Sequence, residues 1–468
     1  MLPIVALSVS GIALLFLGFQ KSRVLLLPAA LLLLVIALAA NFYDWNKTYL
    51  YFNNMLRTDN LSMVFTAIVL GSAFMVIALS SQFIEDEESQ PAEYYGIIMF
   101  SLVGAVMMIG FENLIMLFVG VEALSIAMYV LTGSDKRNLR SNEAALKYFL
   151  MGAFTTGILL FGMALIYGAT GSFTLAGIAA YTANPQAGLS LLLYAGLLML
   201  LIGLLFKVSA APFHFWTPDV YDGAPTIFTA FMSTVVKTAG FAALFKLLSV
   251  SFNGVYNFWW VMLAVMAALT LVIGNVTAVY QNSFKRMMAY SSISHAGYLL
   301  IGLAALGAQS EQAIVFYSLA YSVATISAFG VLILVAQQRP VQTLTSGGVL
   351  GNNFDDFNGL ARQNPLLGLA MTVSMLSLAG IPLTAGFWGK FYIFSTAVER
   401  GQIWLLVVAV LMSAVGIYYY FRVIIAMYFR DGATESIRVS PVYQYVLVAA
   451  IAITIGLGVA PGLLQGLF

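Results

Sequence analysis

Residues 189–216 read LSLLLYAGLLMLLIGLLFKVSAAPFHFW, a run in which Lys207 is the only charge before His214. The apolar part is long enough to cross ~30 Å of hydrocarbon as a helix. It then runs into Ala210-Ala211-Pro212, and a proline removes a backbone donor and clashes with the preceding turn, so the helix opens there. An ammonium at membrane depth costs between about 2.5 and more than 10 kcal/mol, which makes a buried lysine a functional candidate. Lys237 and Lys390 repeat the pattern, and Glu122 supplies an opposite charge.

The composition agrees with this class. Of 468 residues, 61% are hydrophobic and 8% charged, and the apolar runs lack the alternation of barrel strands. The reading is therefore an all-α membrane protein, since helices satisfy their own backbone groups. A net charge of +1 argues against nucleic acid as a partner. With no cysteine and two histidines, cysteine-held iron–sulfur clusters are excluded and haem is disfavoured, and no nucleotide or metal-ligand motif is present. The first span lacks a basic leader and a small-residue cleavage site, so it reads as a retained helix.

About fourteen transmembrane helices are expected, at 2–19, 24–41, 61–81, 94–110, 113–132, 145–169, 189–211, 224–249, 256–280, 287–307, 312–337, 366–396, 402–429 and 442–466. With the N-terminus outside, the cytoplasmic connections hold Lys21, Arg23, Lys136, Arg137, Arg140, Lys285, Arg286, Arg339, Arg362, Arg430 and Arg438. The outer ones hold Lys47, Arg57 and Arg400. This imbalance fits the positive-inside rule and an even span count, with both termini periplasmic. Six basic residues remain within or at the ends of spans: Lys147, Lys207, Lys237, Lys246, Lys390 and Arg422.

The twelfth span is interrupted like the seventh, with Gly380, Pro382, Gly386 and Gly389 in SLAGIPLTAGFWGKF. Matching breaks in two halves point to inverted repeats with the transport path near the breaks. The expected organisation is three leading helices (1–93), a five-helix repeat (94–249), a second, inverted five-helix repeat (250–430) and a final helix (431–468). An odd-numbered unit followed by its copy must insert upside down.

FKVSAAPFHFWTPDVYDGAPT (206–226), STVVK (233–237), SFKRMMAYSSISHAGYLLIG (283–302) and the stretch from DDFNGLARQNP (355–365) through GIPLTAGFWGKFYIF (380–394) closely resemble the antiporter-like membrane subunits of respiratory complex I, the NADH-quinone oxidoreductase. The likeness runs from about Phe111 to Arg430. TPDVYDGAPT and a lysine at 390 favour the N type over the M type, and the chain lacks the lateral helix of the L type. Glu112 departs from the pattern, where a neutral polar residue is expected. The resemblance implies a proton-translocating subunit in the bacterial cytoplasmic (inner) membrane, beside other antiporter-like and small membrane subunits. NADH, FMN, iron–sulfur clusters and quinone are then expected elsewhere in the complex, with no cofactor in this chain. A subunit of a multisubunit sodium/proton antiporter and a non-pumping scaffold are the alternatives.

Desolvation disfavours the charged forms of both glutamate and lysine, and a neighbouring opposite charge restores them. If Glu122 lies near Lys207, their separation controls whether the lysine keeps its proton; the alternative is a static ion pair. Lys237, on the next span, is placed to receive the proton through water. Lys390, eight residues past Pro382, is the counterpart in the second repeat. Lys147 is a relay candidate by resemblance, with snorkelling to the headgroups as the rival reading. Ser291, Ser294, His295 and Tyr298 fall on one helical face that suits a water-linked relay. His214 stands beside the first break. Asp219 and Asp222 read as helix caps, Lys246 and Arg422 as snorkelling residues, and Glu85–Glu88 as a solvated cytoplasmic loop.

Overall fold

Apolar runs that must pair their own N–H and C=O groups become helices, and the chain is almost wholly helical. The computed structural model describes residues 1–20, 23–81, 91–184, 190–338, 352–432 and 436–463. The first half contains α1 (Leu2–Leu17), α2 (Leu26–Phe42), α3 (Asn60–Ala78), α4 (Pro91–Gly110), α5 (Leu114–Thr132), α6 (Leu139–Thr170), α7 (Leu175–Thr182), α8 (Leu191–Lys207), α9 (Trp216–Gly223), α10 (Thr226–Phe231) and α11 (Lys237–Lys246). The second contains α12 (Tyr256–Val279), α13 (Phe284–Ala304), α14 (Ser310–Gln338), α15 (Leu360–Gln363), α16 (Pro365–Ala379), α17 (Ala385–Glu399), α18 (Ile403–Phe429) and α19 (Pro441–Val459).

Nine helical stretches among the described residues are long and apolar enough to cross a membrane, and α1, α2, α8 and α16 are shorter apolar helices. Each expected span falls on a helix or on a pair of half-helices. α13 has the length but less apolarity, because its middle carries serines and a histidine. The stretch Thr226–Ser251, α13 and α14 are interior helices, whereas α6 and α18 turn most of their surface outward.

Both breaks are present. α8 stops at Lys207, Ser209 takes a left-handed conformation at φ 64°, and the path resumes as the half-helix α9. The Trp216 indole N–H donates to Phe206 O at 3.0 Å, covering a carbonyl freed at the end of α8. The polar connection expected after Pro212 is therefore largely helical and buried. At the second break α16 ends on Gly380 at φ 82°, whose N–H and that of Ile381 return to Leu376 O at 3.0 Å. Gly386 opens α17 so close to α16 that an added Cβ would stand 1.8 Å from Ser377 O.

Two groups of connections mark the two ends of the bundle. One contains a hairpin, β1 (Tyr49–Tyr51) against β2 (Leu56–Thr58), bridged to Phe111, while Asn113 is bridged to Thr174. Asn53 and Asn54 turn this hairpin with positive φ, a conformation asparagine tolerates. At the other end Ser283 bridges Asn353, and Arg286 reaches Asp219. The hairpin and α7 are absent from the sequence expectation, and α6 begins six residues earlier than expected, capped by the Asn138 side chain on Arg140 N–H at 3.1 Å. Glu85–Glu88, Lys21 and Arg339 lie outside the described residues.

The chain's lack of cysteine makes single labels unambiguous. With the hairpin outside, Asn53→Cys should react with a membrane-impermeant maleimide on intact cells, and Lys136→Cys only after lysis; the reverse pattern would overturn the orientation.

Candidate functional site

Lys207 is the last residue of α8 and is buried. Its Nζ donates to Ser125 Oγ on α5 at 2.7 Å and lies 5.9 Å from the centre of the Tyr148 ring on α6. Tyr148 in turn stacks on Trp216 of α9, with ring centroids 4.5 Å apart. Glu122 stands one turn from Ser125 on α5, close enough for its charge to act on Lys207. No ion pair joins the two, and Glu122 Oε1 is buried without a hydrogen-bond partner among the described residues. The static ion pair of the alternative reading is therefore absent, and a serine occupies the contact.

Lys237 follows a wide π-helical segment, Met232–Val236, that interrupts the interior helix between α10 and α11. Its Nζ donates to both Ser292 O, at 2.6 Å, and Ser292 Oγ on α13, and lies 5.8 Å from the Tyr321 ring. Tyr321 also donates to Ser292 Oγ at 2.9 Å. Lys237 thus faces the second half of the chain, with no hydrogen bond toward Lys207.

The stripe on α13 is buried. His295 Nδ1 lies 2.6 Å from the Tyr317 hydroxyl of α14, and Nε2 3.0 Å from the Tyr420 hydroxyl of α18. Tyr420 continues to Ser291 at 2.5 Å. Ser292, off the expected stripe, is the residue that receives Lys237. Sequence reading missed Ser125, Ser292, Tyr317 and Tyr420; the available signal was hydroxyls in apolar spans, notably YSLAYS (317–322) and IYYYF (417–421).

Lys390 lies in the second turn of α17 and folds back over the break. Its Nζ donates to Ala379 O, the last carbonyl of α16, at 2.8 Å and to Ser413 Oγ of α18 at 2.9 Å. It also lies 4.8 Å from the Tyr298 ring centre. Gly380 makes room for it, since an added Cβ would come within 2.8 Å of Lys390 Cδ.

Several bland expectations are corrected. Lys147 does not snorkel alone: its Nζ lies 2.7 Å from both Glu143 and Asp219, and Asp219 is shared with Arg286 at 3.0 Å. Asp219 is in the first turn of α9, but its carboxylate ties α6 to α13. These residues line a polar cavity of about 260 Å³ together with Arg140 and Asp222. Asp222 accepts from the Ser283 hydroxyl at 3.3 Å. Lys246 is paired with Glu112 at 3.0 Å, which gives the unexpected acid its partner. Arg422 donates to Val279 O at 2.8 Å, closing the end of α12. Lys285, counted as a loop cation, is buried and donates to Ala224 O at 2.5 Å at the end of α9. His214 is buried and stacked on Phe215 at 4.6 Å, with no hydrogen bond to any of the lysines.

The arrangement supplies amines and an imidazole on hydroxyl partners across two broken helices, groups able to hold and pass protons. Among the described residues no three His, Asp or Glu side chains gather as metal ligands.

Residues 112–416 match the family model described as "NADH:quinone oxidoreductase/Mrp antiporter, TM". The NADH-quinone oxidoreductase subunit N of Trichlorobacter lovleyi is 45% identical over 93% of this chain and 88% of its own length. A chain of respiratory complex I from Thermus thermophilus, solved with bound aureothin, is 37% identical with a TM-score of 0.84, covering 99% of this chain and 98% of that one. A chain of the Mrp complex from Dietzia shares the fold at a TM-score of 0.84 and 21% identity, covering 100% of this chain and 96% of that one.

The close approach at the second break generates a paired test. Gly386→Val should sharply reduce accumulation of the protein in membranes, because a Cβ there meets backbone; overpacking of this kind costs roughly 1–3 kcal/mol or more. Gly456→Val, where an added Cβ meets nothing within 4 Å, should accumulate normally. Immunoblots of membrane fractions distinguish the two, and equal levels would refute the tight α16–α17 approach.

Proposed function

The chain belongs to the NADH:quinone oxidoreductase/Mrp antiporter membrane family, in its subunit N branch, and we propose that it works as a proton-translocating membrane subunit of an NADH-quinone oxidoreductase. In this reading the flavin, the iron–sulfur clusters and the quinone site belong to other subunits, with further membrane subunits alongside. The chain sits in the bacterial cytoplasmic membrane with both termini periplasmic. Residues 94–249 and 250–430 act as two inverted half-units, each built around one broken helix.

The observation that carries the reading is the way Lys207, Lys237 and Lys390 are held. Each is buried, each bonds a serine hydroxyl, and none has a carboxylate within ion-pair distance among the described residues. A buried cation kept for architecture is held by a counter-charge, as Lys246 is by Glu112, or by backbone carbonyls alone, as Lys285 is, because an uncompensated one is strongly destabilising. A hydroxyl differs: it accepts from an ammonium and, by rotating, donates to a neutral amine. Such a partner suits a lysine that changes protonation during turnover.

The proton path assigned on this basis begins at the Lys147–Asp219–Arg286 cavity. It continues through Lys207 under the control of Glu122, then Lys237, then the His295 relay on α13, and reaches Lys390 at the second break. His214 flanks the first break in a supporting position. The bulk of the driving chemistry lies elsewhere, so this chain's task is to bind and release a proton at each stage.

Lys207→Ala should assemble normally, because Glu122 is not held in an ion pair with Lys207 and loses no hydrogen-bond partner when the amine is removed. NADH-driven proton uptake into vesicles should fall by roughly a hundredfold or more, the scale of losing a positioned acid–base group. Lys207→Arg keeps the charge but does not release a proton at accessible pH, so it should be equally defective. A scaffold role predicts poor assembly for the alanine variant and tolerance of arginine. Near-normal pumping by both would remove Lys207 from the path.

A further inference from the structure

We propose that Ser125 is a positioning residue whose hydroxyl gives Lys207 a second resting place, one helical turn from Glu122, and so holds the amine off the carboxylate. This inference rests on the proton-transfer reading above and adds a part to it.

Ser125 is buried, and its hydroxyl donates to Val121 O on its own helix at 2.5 Å. With that hydrogen engaged, its remaining capacity is to accept, so the 2.7 Å contact is a donation from Lys207. Glu122 and Ser125 are three apart on α5, which places both on one face of the helix. A lysine stem with four rotatable carbons can move between two acceptors so spaced. Glu122 Oε1 is buried and without a hydrogen-bond partner, so it is an acceptor ready to receive the amine.

Tyr129, one turn further along α5, also meets Ser125 and Glu122, so its hydroxyl adds a second neutral oxygen beside that of Ser125 and no second carboxylate. From α6, Tyr148 presents its ring to Lys207, and from α9, Trp216 stacks behind that ring with its N–H given to Phe206 O. From α11, Lys237 is turned to Ser292. His214 is stacked on Phe215. The choice facing the amine is therefore a neutral hydroxyl or a carboxylate.

The two places have different consequences. On Glu122 the ammonium sits in an ion pair that resists release. On Ser125 it is held by a neutral oxygen, and it can hand one proton to the next acceptor in the relay. The serine keeps its own proton throughout, and the lysine goes from ammonium to amine. Afterwards the hydroxyl can rotate from Val121 O and donate to the amine until a new proton arrives.

The test uses the assembled complex in vesicles, with proton uptake measured against NADH oxidation. Ser125→Ala should lower proton transfer about tenfold, the scale of one hydrogen bond to a charged group. Ser125→Thr, which keeps the hydroxyl and its bond to the preceding turn, should restore most of it. A packing role predicts the opposite order, because alanine fits the space and threonine adds a methyl group. A structure of the alanine variant should find Lys207 Nζ moved onto Glu122. If the alanine variant does not accumulate, Ser125→Cys, of similar size and with a weaker acceptor, replaces it with the same expected loss. Wild-type pumping by the alanine or the cysteine variant, or threonine pumping no better than alanine, would overturn the role of Ser125. Lys207→Ala is measured alongside: if it pumps normally the relay reading itself fails, and if it is inactive while Ser125→Ala is normal, only the serine's role is lost.

Discussion

An amine buried in an apolar helical bundle needs oxygen, and an intact helix has little to offer because its carbonyls are engaged along its length. Oxygen becomes available where a helix ends or opens, and there the helix dipole also favours a positive charge. Two buried lysines and two less buried arginines obey this constraint. Lys390 bonds the last carbonyl of α16, Lys285 bonds carbonyls at the end of α9, and Arg422 bonds those closing α12. Arg400 reaches Leu306 O just past the end of α13. The interruption at Pro382 thus supplies the carbonyl that holds Lys390, whereas Lys207, at the Pro212 break, finds its oxygen on the side chain of Ser125.

Within this pattern two kinds of cation separate. Lys147, Arg286 and Lys246 are paired with carboxylates and link elements at the two ends of the bundle: α6 and α13 to α9, and α11 to the connection ahead of α5. Lys207, Lys237 and Lys390 lie deeper and rest on serines. The first group fixes geometry. Each lysine of the second has a hydroxyl among its partners, which can serve either protonation state, and under the proposed function reversible proton binding runs along the interior with fixed charge at its margins.

Much of this was legible in the sequence for a definite reason. Apolar runs of spanning length, prolines within two of them and charges where none is expected are local signals, and they located the breaks, the lysines and Glu122. What they could not reach was contact. Ser125 and Ser292 are ordinary in composition, and each matters only because a lysine 82 or 55 positions away is brought to it. The phenols of Tyr317 and Tyr420 converge on His295 from two other helices for the same reason. Glu112 and Lys246 were each noticed but not joined, since spacing along one helix says nothing of a partner across the bundle. The small hairpin escaped because three-residue strands carry too short a pattern to read.

His295 is gripped at both ring nitrogens by phenols from different helices. A ring pinned in this way has little freedom to turn, so any proton it handles must enter at one nitrogen and leave from the other, exchanging one tautomer for its mirror assignment. The lysines are the reverse case: long stems carrying a head that moves in space. In the proposed relay, Lys207 and Lys390 at the two breaks are then swinging carriers and His295 a stationary junction between them, where traffic is a rearrangement of bonds in which no heavy atom has to travel.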